Sequence, residues 1–354
     1  PRGNGARLQG STVNIGQSGG PDNPDQLVIW GGVNSVGYTT SNSSDPNLVT
    51  QQANAVVAAT GNMNVYLESA PLTKAADGVP FDGNYSVIIR GGTATAGNNG
   101  ATPLLVSSLG VLQATSLAME TDGTILFQGG TATLQTANAA AASSALLLVS
   151  DNKTITTSGS MVLIGGTANV NATDAVTTLP LTSTEAANSQ AMARLDPSNL
   201  TLDIDGILVL QGGRTTGPAG SFASARIDAG NEIRITVNGS GNYTYTTSGG
   251  TPPAVGPASF YMIGGSDSGF FDKNNVDLAG SIAYPQSFPI TITLAGSFLK
   301  IPDAGLASSV VQTGAATFDD SLLAYTIFAT NDETRAVRIL RRFDEDDTGV
   351  AACK

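Results

Sequence analysis

The sequence predicts an all-β protein, a parallel β-solenoid with loop insertions of unequal length and at most one or two short helices. Three observations predict it. An apolar run ending in a glycine pair recurs six times along 354 residues. Alternating, strand-like segments stand at matching places before each copy. Charged residues make up only 12% of the chain while glycine reaches 42, a balance that suits layered short strands and turns.

The recurring phrase sets the architecture. "YSVIIRGGTATAG" from Tyr85, "GTILFQGGTATLQ" from Gly123, "SMVLIGGTANVNA" from Ser160 and "GILVLQGGRTTGP" from Gly206 are copies of one unit. The pairs are Gly31 and Gly32, Gly91 and Gly92, Gly129 and Gly130, Gly165 and Gly166, Gly212 and Gly213, and Gly264 and Gly265. Successive pairs stand 60, 38, 36, 47 and 52 residues apart, which indicates one unit with insertions of different lengths. Glycine at a fixed place in the unit predicts a sharp corner, where the backbone takes a positive φ or approaches another segment closely.

The strands come next. "ALLLVSDNKTITTSGSMVLIGG" from Ala145 aligns with "ARLDPSNLTLDIDGILVLQGG" from Ala193. "ARIDAGNEIRITVNGSG" from Ala225 starts the same frame, and "FPITITLAGSFLKIPDAG" from Phe288 repeats its middle. Strict alternation, as in "LTLDIDG" and "EIRITVNG", means a strand with one buried face. "ILVL" and "MVLI" are short and bounded by glycine, so they too read as strands. One coil of such strands cannot bury its Ile, Leu and Val, but stacked coils can, each side chain lying ~4.8 Å from its equivalent. At about 25 residues per coil this predicts about a dozen coils and a rod roughly 60 Å long.

Around this body the chain divides into three parts. Residues 1–25 are expected to be an N-terminal extension, either a strand that pairs with a neighbouring subunit or a disordered leader. Residues 26–315 are the solenoid. Residues 316–354 are charge-rich after a charge-poor array, with Arg335, Arg338, Arg341, Arg342, Asp344, Glu345, Asp346 and Asp347. They read as a cap that stops edge-to-edge growth, or as a subunit contact in which a basic strip meets an acidic one. The single cysteine, Cys353, cannot form an intrachain disulfide and joins that candidate contact. "LVTQQANAVVAATG", residues 48–61, has helical spacing and a terminal Gly61. "STEAANSQAMARL" follows Thr182, which with Glu185 forms a capping-box pattern, so a second short helix is expected there.

Composition limits the chemistry. Acidic residues outnumber basic ones 28 to 16, a net charge of −12, which argues against nucleic acid and anionic membranes as partners. No apolar run is long enough to predict a membrane-spanning helix. The chain has no histidine, so histidine-based triads, bases and metal ligands are excluded. Carboxylates that could frame an acid pair are Asp203 and Asp205, expected outward on one face about 7 Å apart, and Asp319 with Asp320. Solvated positions are the plainer reading of all four. "GGSDSGFFD" and "GGPDNPD" lack the tandem period of calcium-binding repeats and read as turns. "GGTATAG" lacks the lysine and helix of a phosphate loop. Threonine pairs such as "TATA" would form ice-binding rows only if aligned coil upon coil, which the unequal spacings are expected to prevent. No cofactor is predicted, and the protein is not read as an enzyme.

The stretch "PNLVTQQANAVVAATGNMNVYLESAPLTK" from Pro46, followed by "GGTA" coils, resembles the filamentous-haemagglutinin-like exoproteins of Gram-negative bacteria. Their G-x-x-V-x-V strand and terminal G-G-[ST]-A match Gly61 to Leu67, Gly91 to Ala94, Gly129 to Ala132 and Gly165 to Ala168. The resemblance covers roughly residues 26 to 315. It implies a right-handed parallel β-helix, secretion by a partner transporter, and adhesion to cells or surfaces with biofilm formation. The family's N-terminal secretion domain has no counterpart here, which predicts a mature or C-terminal portion of a longer product.

Together these readings predict an extracellular or cell-surface structural protein, a self-assembling fibre subunit or adhesin stalk. Its expected partners are copies of itself, joined head to tail through the terminal coils, and host-cell, abiotic or matrix surfaces. A polysaccharide-active solenoid enzyme and a passive monomeric spacer are the competing expectations.

Overall fold

The computed structural model describes residues 5–36, 49–71, 84–97, 104–135, 139–170, 189–216, 221–223, 225–228, 232–243, 257–263, 266–267, 276–280, 290–295, 298–301, 309–312, 316–318 and 337–341. Every regular element among them is a β-strand, and the strands stack into five sheets that are parallel through the body of the molecule. The second coil shows the path: Ala55–Ala59 in sheet 1, Asn62–Leu67 in sheet 2, Asn84–Arg90 in sheet 3, Thr93–Ala96 in sheet 4 and Leu104–Ser107 in sheet 5. Each strand then pairs with its equivalent one coil later. Leu112, for example, is in register with Val57 on one side and Leu147 on the other. The parallel β-solenoid expected from the repeat is therefore the fold.

Successive coils begin at Ala6, Ala55, Gly110, Ala145, Ala193, Ala225 and Val276, so one coil takes 32 to 55 residues. Among the described residues the expected dozen coils of about 25 residues become seven, a stack rising about 30 Å at ~4.8 Å per coil. The reason is the cross-section. Five strands and their connections make up each of the first five coils, and each coil is longer for it.

Sheets 1, 2 and 3 enclose the main core. Their inward rows are aliphatic columns, such as Ile29, Ile89, Phe127, Leu163 and Leu210 in consecutive coils of sheet 3. Each Leu, Ile or Val so buried contributes roughly 1.5–3 kcal/mol, which no single coil could collect. Sheets 4 and 5 close on a thinner core lined by Ala94, Ala132, Ala141, Ala168, Ala191 and Ala223 together with Val106 and Leu134. Alanine fits there because the two sheets fold back closely on one another.

Three expectations about the ends and the helices are revised. Residues 48–61 form the strands Val49–Gln52 and Ala55–Ala59, not a helix. Both complete sheets in register with neighbouring coils, and that pairing overrides the helical spacing. Of the second expected helix, residues 182–188 lie outside the described residues, and Ser189–Gln190 and Ala193–Asp196 are strands. The solenoid begins at Ala6 rather than at residue 26, because Ala6–Gly10 and Val13–Ile15 pair with Ala55–Ala59 and Asn62–Leu67 of the same chain.

At the far end the chain reverses. Ser309–Gln312 runs antiparallel to Phe298–Ile301 in sheet 3, and Ala316–Phe318 antiparallel to Ile290–Leu294 in sheet 2. Val337–Arg341 is laid parallel on Val276–Gly280 in sheet 1.

Candidate functional site

The recurring glycines sit where sheet 3 passes into sheet 4. At this point the chain leaves the main core, and it returns at the turn from sheet 5 to sheet 1, so the two corners lie back to back in a narrow neck. The second glycine of each pair donates its amide across the neck: Gly32 to Ala53, Gly92 to Ser108, Gly130 to Ser143, Gly166 to Ala191 and Gly213 to Ala223, at 2.7 to 2.9 Å. The first glycine of each pair donates along the stack, Gly31 to Arg90, Gly91 to Gln128, Gly129 to Ile164, Gly165 to Gln211 and Gly212 to Ile263. Gly264 and Gly265 lie outside the described residues.

Close approach, not positive φ, is what requires glycine here. A Cβ on Gly91 would collide with the Ser143 carbonyl across the neck, and one on Gly130 with the Gly92 carbonyl of the coil before. The only positive φ values described for glycine are at Gly16 and Gly19, in the connection that follows Val13–Ile15. Gly32 is the exception among the second glycines. It lies in the first coil, and its nearest neighbour would be Ala53 Cβ at 3.4 Å.

The opposite wall of the neck is a second repeated feature. Ala53, Ser108, Ser143, Ala191 and Ala223 are each followed two residues later by Ala or Gly. Ser143 Oγ also donates to the Gly92 carbonyl at 2.6 Å. That small-x-small pattern was readable in the sequence and marks the partner of the glycine pair.

Sequence reasoning also missed Lys153. It points inward in sheet 2, in register between Leu117 and Leu200, and is fully buried with no hydrogen-bond partner for Nζ. Burial holds its amine well below the usual lysine value, while the nearby Asp196 carboxylate acts weakly in the other direction. The alignment of "NKTITT" with "NLTLDI" carried the signal, since it sets this lysine opposite a core leucine.

The expected acid pair takes a different form. Asp203 is outward on Asn199–Ile204, but Asp205 lies in the bend beyond that strand. Both carboxylates accept from the Asn238 side-chain amide, each at 3.0 Å, so one amide of the next coil ties them together. Among the described residues no three acidic or cysteine side chains converge as metal ligands. Asp319, Asp320, Arg335, Arg342, Asp344, Glu345, Asp346, Asp347 and Cys353 lie outside the described residues. Arg338 and Arg341 fall on the last strand of sheet 1. Threonine rows do form, contrary to expectation: Thr93, Thr131 and Thr167 stand in register in sheet 4, as do Thr95, Thr133 and Asn169. Loops between strands absorb the unequal spacings, and Arg214 ends the first row.

The first coil is the other distinctive region. Its five strands, Ala6–Gly10, Val13–Ile15, Leu27–Trp30, Val33–Val36 and Val49–Gln52, form one edge of all five sheets. It also carries every large apolar side chain found exposed among the described residues: Leu8 at 56%, Val28 at 50%, Trp30 at 46% and Val33 at 78%. The Arg90 guanidinium of the second coil stacks on Trp30, 4.3 Å from the ring centre.

No protein-family model matches the chain, and neither the curated proteins nor the solved structures contain a significant match.

Proposed function

We propose that the protein is an extracellular structural protein, a stalk or fibre segment of an adhesive surface assembly of the biofilm-forming kind. The observation that carries this reading is the uninterrupted parallel stack itself. Hydrogen-bonded ladders run the length of the molecule on sheets 1, 2 and 3, so axial load is shared among several ladders. The outer face of sheet 2 is largely small and polar, with Asn14, Asn64, Thr154 and Thr201 in one row beside Ala118 and Arg234, and with Glu120 and Asp203 in the next row. Such a surface supports contact with other surfaces without a reactive centre. The resemblance to haemagglutinin-like exoproteins points the same way.

Antibody labelling of intact source cells tests the location. Label on unbroken cells is expected, and label only after lysis rejects an extracellular role. Attachment of cells with and without the gene to glass and to host-cell monolayers tests the role. Reduced attachment is expected on deletion, and unchanged attachment on both surfaces rejects it.

A further inference from the structure

A trough runs up the side of the stack where sheet 5 turns into sheet 1. The outer faces of the two sheets meet there and enclose about 810 Å³, a volume in the range of ligand sites. We infer that this trough binds an uncharged, linear β-1,4-linked polysaccharide, held as an extended ribbon along the stacking axis. The inference rests on the surface-contact reading above and names what one side of the stack holds.

Repetition selects a polymer. One wall is a row of sheet 5, with Gln52, Ser107, Ala142 and Gln190 in register. The other is a row of sheet 1, running from Gln9 through Ala58, Gln113 and Leu148 to Asp196. Each wall offers the same place in successive coils, so a ligand built of repeating units meets repeating surroundings. Two coils rise ~9.6 Å, close to the length of one β-1,4-linked disaccharide. An extended peptide repeats every two residues, or ~6.7 Å, and falls out of step with the coils. From Gln9 to Asp196 the trough covers ~19 Å, room for two disaccharides.

Side-chain chemistry selects an uncharged sugar. Gln52, Asn54, Gln113 and Gln190 bring carboxamides to the trough. Each carries donors and an acceptor in one plane, the pairing that adjacent hydroxyls on a sugar ring require. Leu109, Leu146 and Leu148 lie half-buried between them and offer apolar surface to the C–H faces of the rings. Gln190 is 5% exposed, and its Nε2 is buried without a hydrogen-bond partner, so the protein leaves one donor of this wall unused. At the rim, Thr115 Oγ1 donates to the Thr60 carbonyl and Ser198 Oγ to the Ser150 carbonyl. Both hydroxyl oxygens keep lone pairs for the hydroxyls of a ligand. Charge is scarce along the walls: Asp196 pairs with Arg194 at 3.1 Å, and Arg7 stands at the first-coil end. An acidic polymer would find little to offset repulsion by a chain of net charge −12.

The purified full chain is to be titrated calorimetrically with β-1,4-linked oligosaccharides of glucose, mannose and N-acetylglucosamine, from disaccharide to hexasaccharide. A tetragalacturonate and an uncharged Gly-Thr-Ser peptide of equal length are the comparators. At least one neutral series is expected to bind, with affinity rising to the tetrasaccharide and levelling off beyond it. Gln113→Ala, at an exposed position, should weaken binding about fivefold. Gln190→Leu should weaken it by a similar factor without lowering the melting temperature, because the donor it removes is unpaired in the free protein. Thr95→Ala, on the outer face of sheet 4, should leave binding unchanged. Failure of every neutral series to bind, equal binding of the galacturonate or the peptide, or affinity indifferent to both glutamine substitutions would overturn the proposal. Such a result would remove the polysaccharide and leave the cell-surface and attachment tests above to decide the structural role.

Discussion

The amide of Gly130 donates to the carbonyl of Ser143 at 2.7 Å, straight across the neck between the two cores. That bond draws two chain segments so close that neither has room for a larger side chain, and the same bond recurs in successive coils. Gly130→Ala places a methyl against the Gly92 carbonyl, a backbone atom that cannot swing aside. A loss of about 3 kcal/mol or more is expected, of the kind caused by overpacking. Gly32→Ala is the control, since its nearest obstacle is Ala53 Cβ at 3.4 Å; it should change stability by less than about 1 kcal/mol. Denaturant midpoints of the two variants check this, and equal losses would refute the neck argument.

Lys153 occupies a place that Leu117 and Leu200 fill in the adjacent coils. Burial disfavours protonation of its amine in the folded chain, whereas in the unfolded chain the amine keeps its ordinary value of 10.5. The unfolded state therefore binds the extra proton, and stability rises with pH until that value is reached. Lys153→Met should stabilise the protein at neutral pH by about 1–3 kcal/mol, the usual cost of an unpaired buried polar group. The gain should shrink as pH approaches 10.5. Thermal melts of both proteins at pH 7 and 10 measure the difference, and a gain independent of pH would show that the amine is charged in place.

Asn238 holds Asp203 and Asp205 together at the surface of sheet 2. Exposed contacts of this type are worth little. Asn238→Ala is expected to cost under about 1 kcal/mol, and Asp203→Ala no more. Urea denaturation measures both. A larger loss would mean that the bend beyond Ile204 depends on the pair.

The regularity of the fold was legible because it is written in side chains that must repeat. Glycine is needed wherever the neck passes, and Ile, Leu and Val wherever a column continues, so "GG" and "LTLDI" recur at matching places. The number of strands per coil was not legible. Sheets 4 and 5 are rich in alanine, whose strand signal is weak, and "QQANAVVAA" carries helical spacing that only the neighbouring coils overrule. Lys153 was visible as an odd residue in an otherwise leucine position, but its burial depends on the parity of the strand, which one polar residue among threonines does not reveal. The open first coil was hidden for a different reason. Leu8 and Val28 resemble core residues in sequence and stand in register with the buried Val57 and Ile88, whereas Val33 heads the outward threonine row of sheet 4.

Tyr243 locks an insertion onto the outer face of sheet 3. Its hydroxyl donates to Gln211 Oε1 at 2.6 Å, and its ring lies 5.8 Å from that of Tyr261, tilted by 55°. Burial, reinforced by the neighbouring Tyr85, raises its phenol above the ordinary value of 10.0. In alkali the unfolded chain loses that proton while the folded chain keeps it, so stability falls as pH rises beyond about 10, opposite in sign to the effect of Lys153. Tyr243→Phe removes one hydrogen bond, costing about 1 kcal/mol at neutral pH, and should also remove part of the alkaline loss. Amide exchange should quicken in residues 238–243 and remain slow in Leu208–Gln211 beneath them. Equal acceleration in both segments would mean that the insertion is part of the stack rather than a cover laid over it.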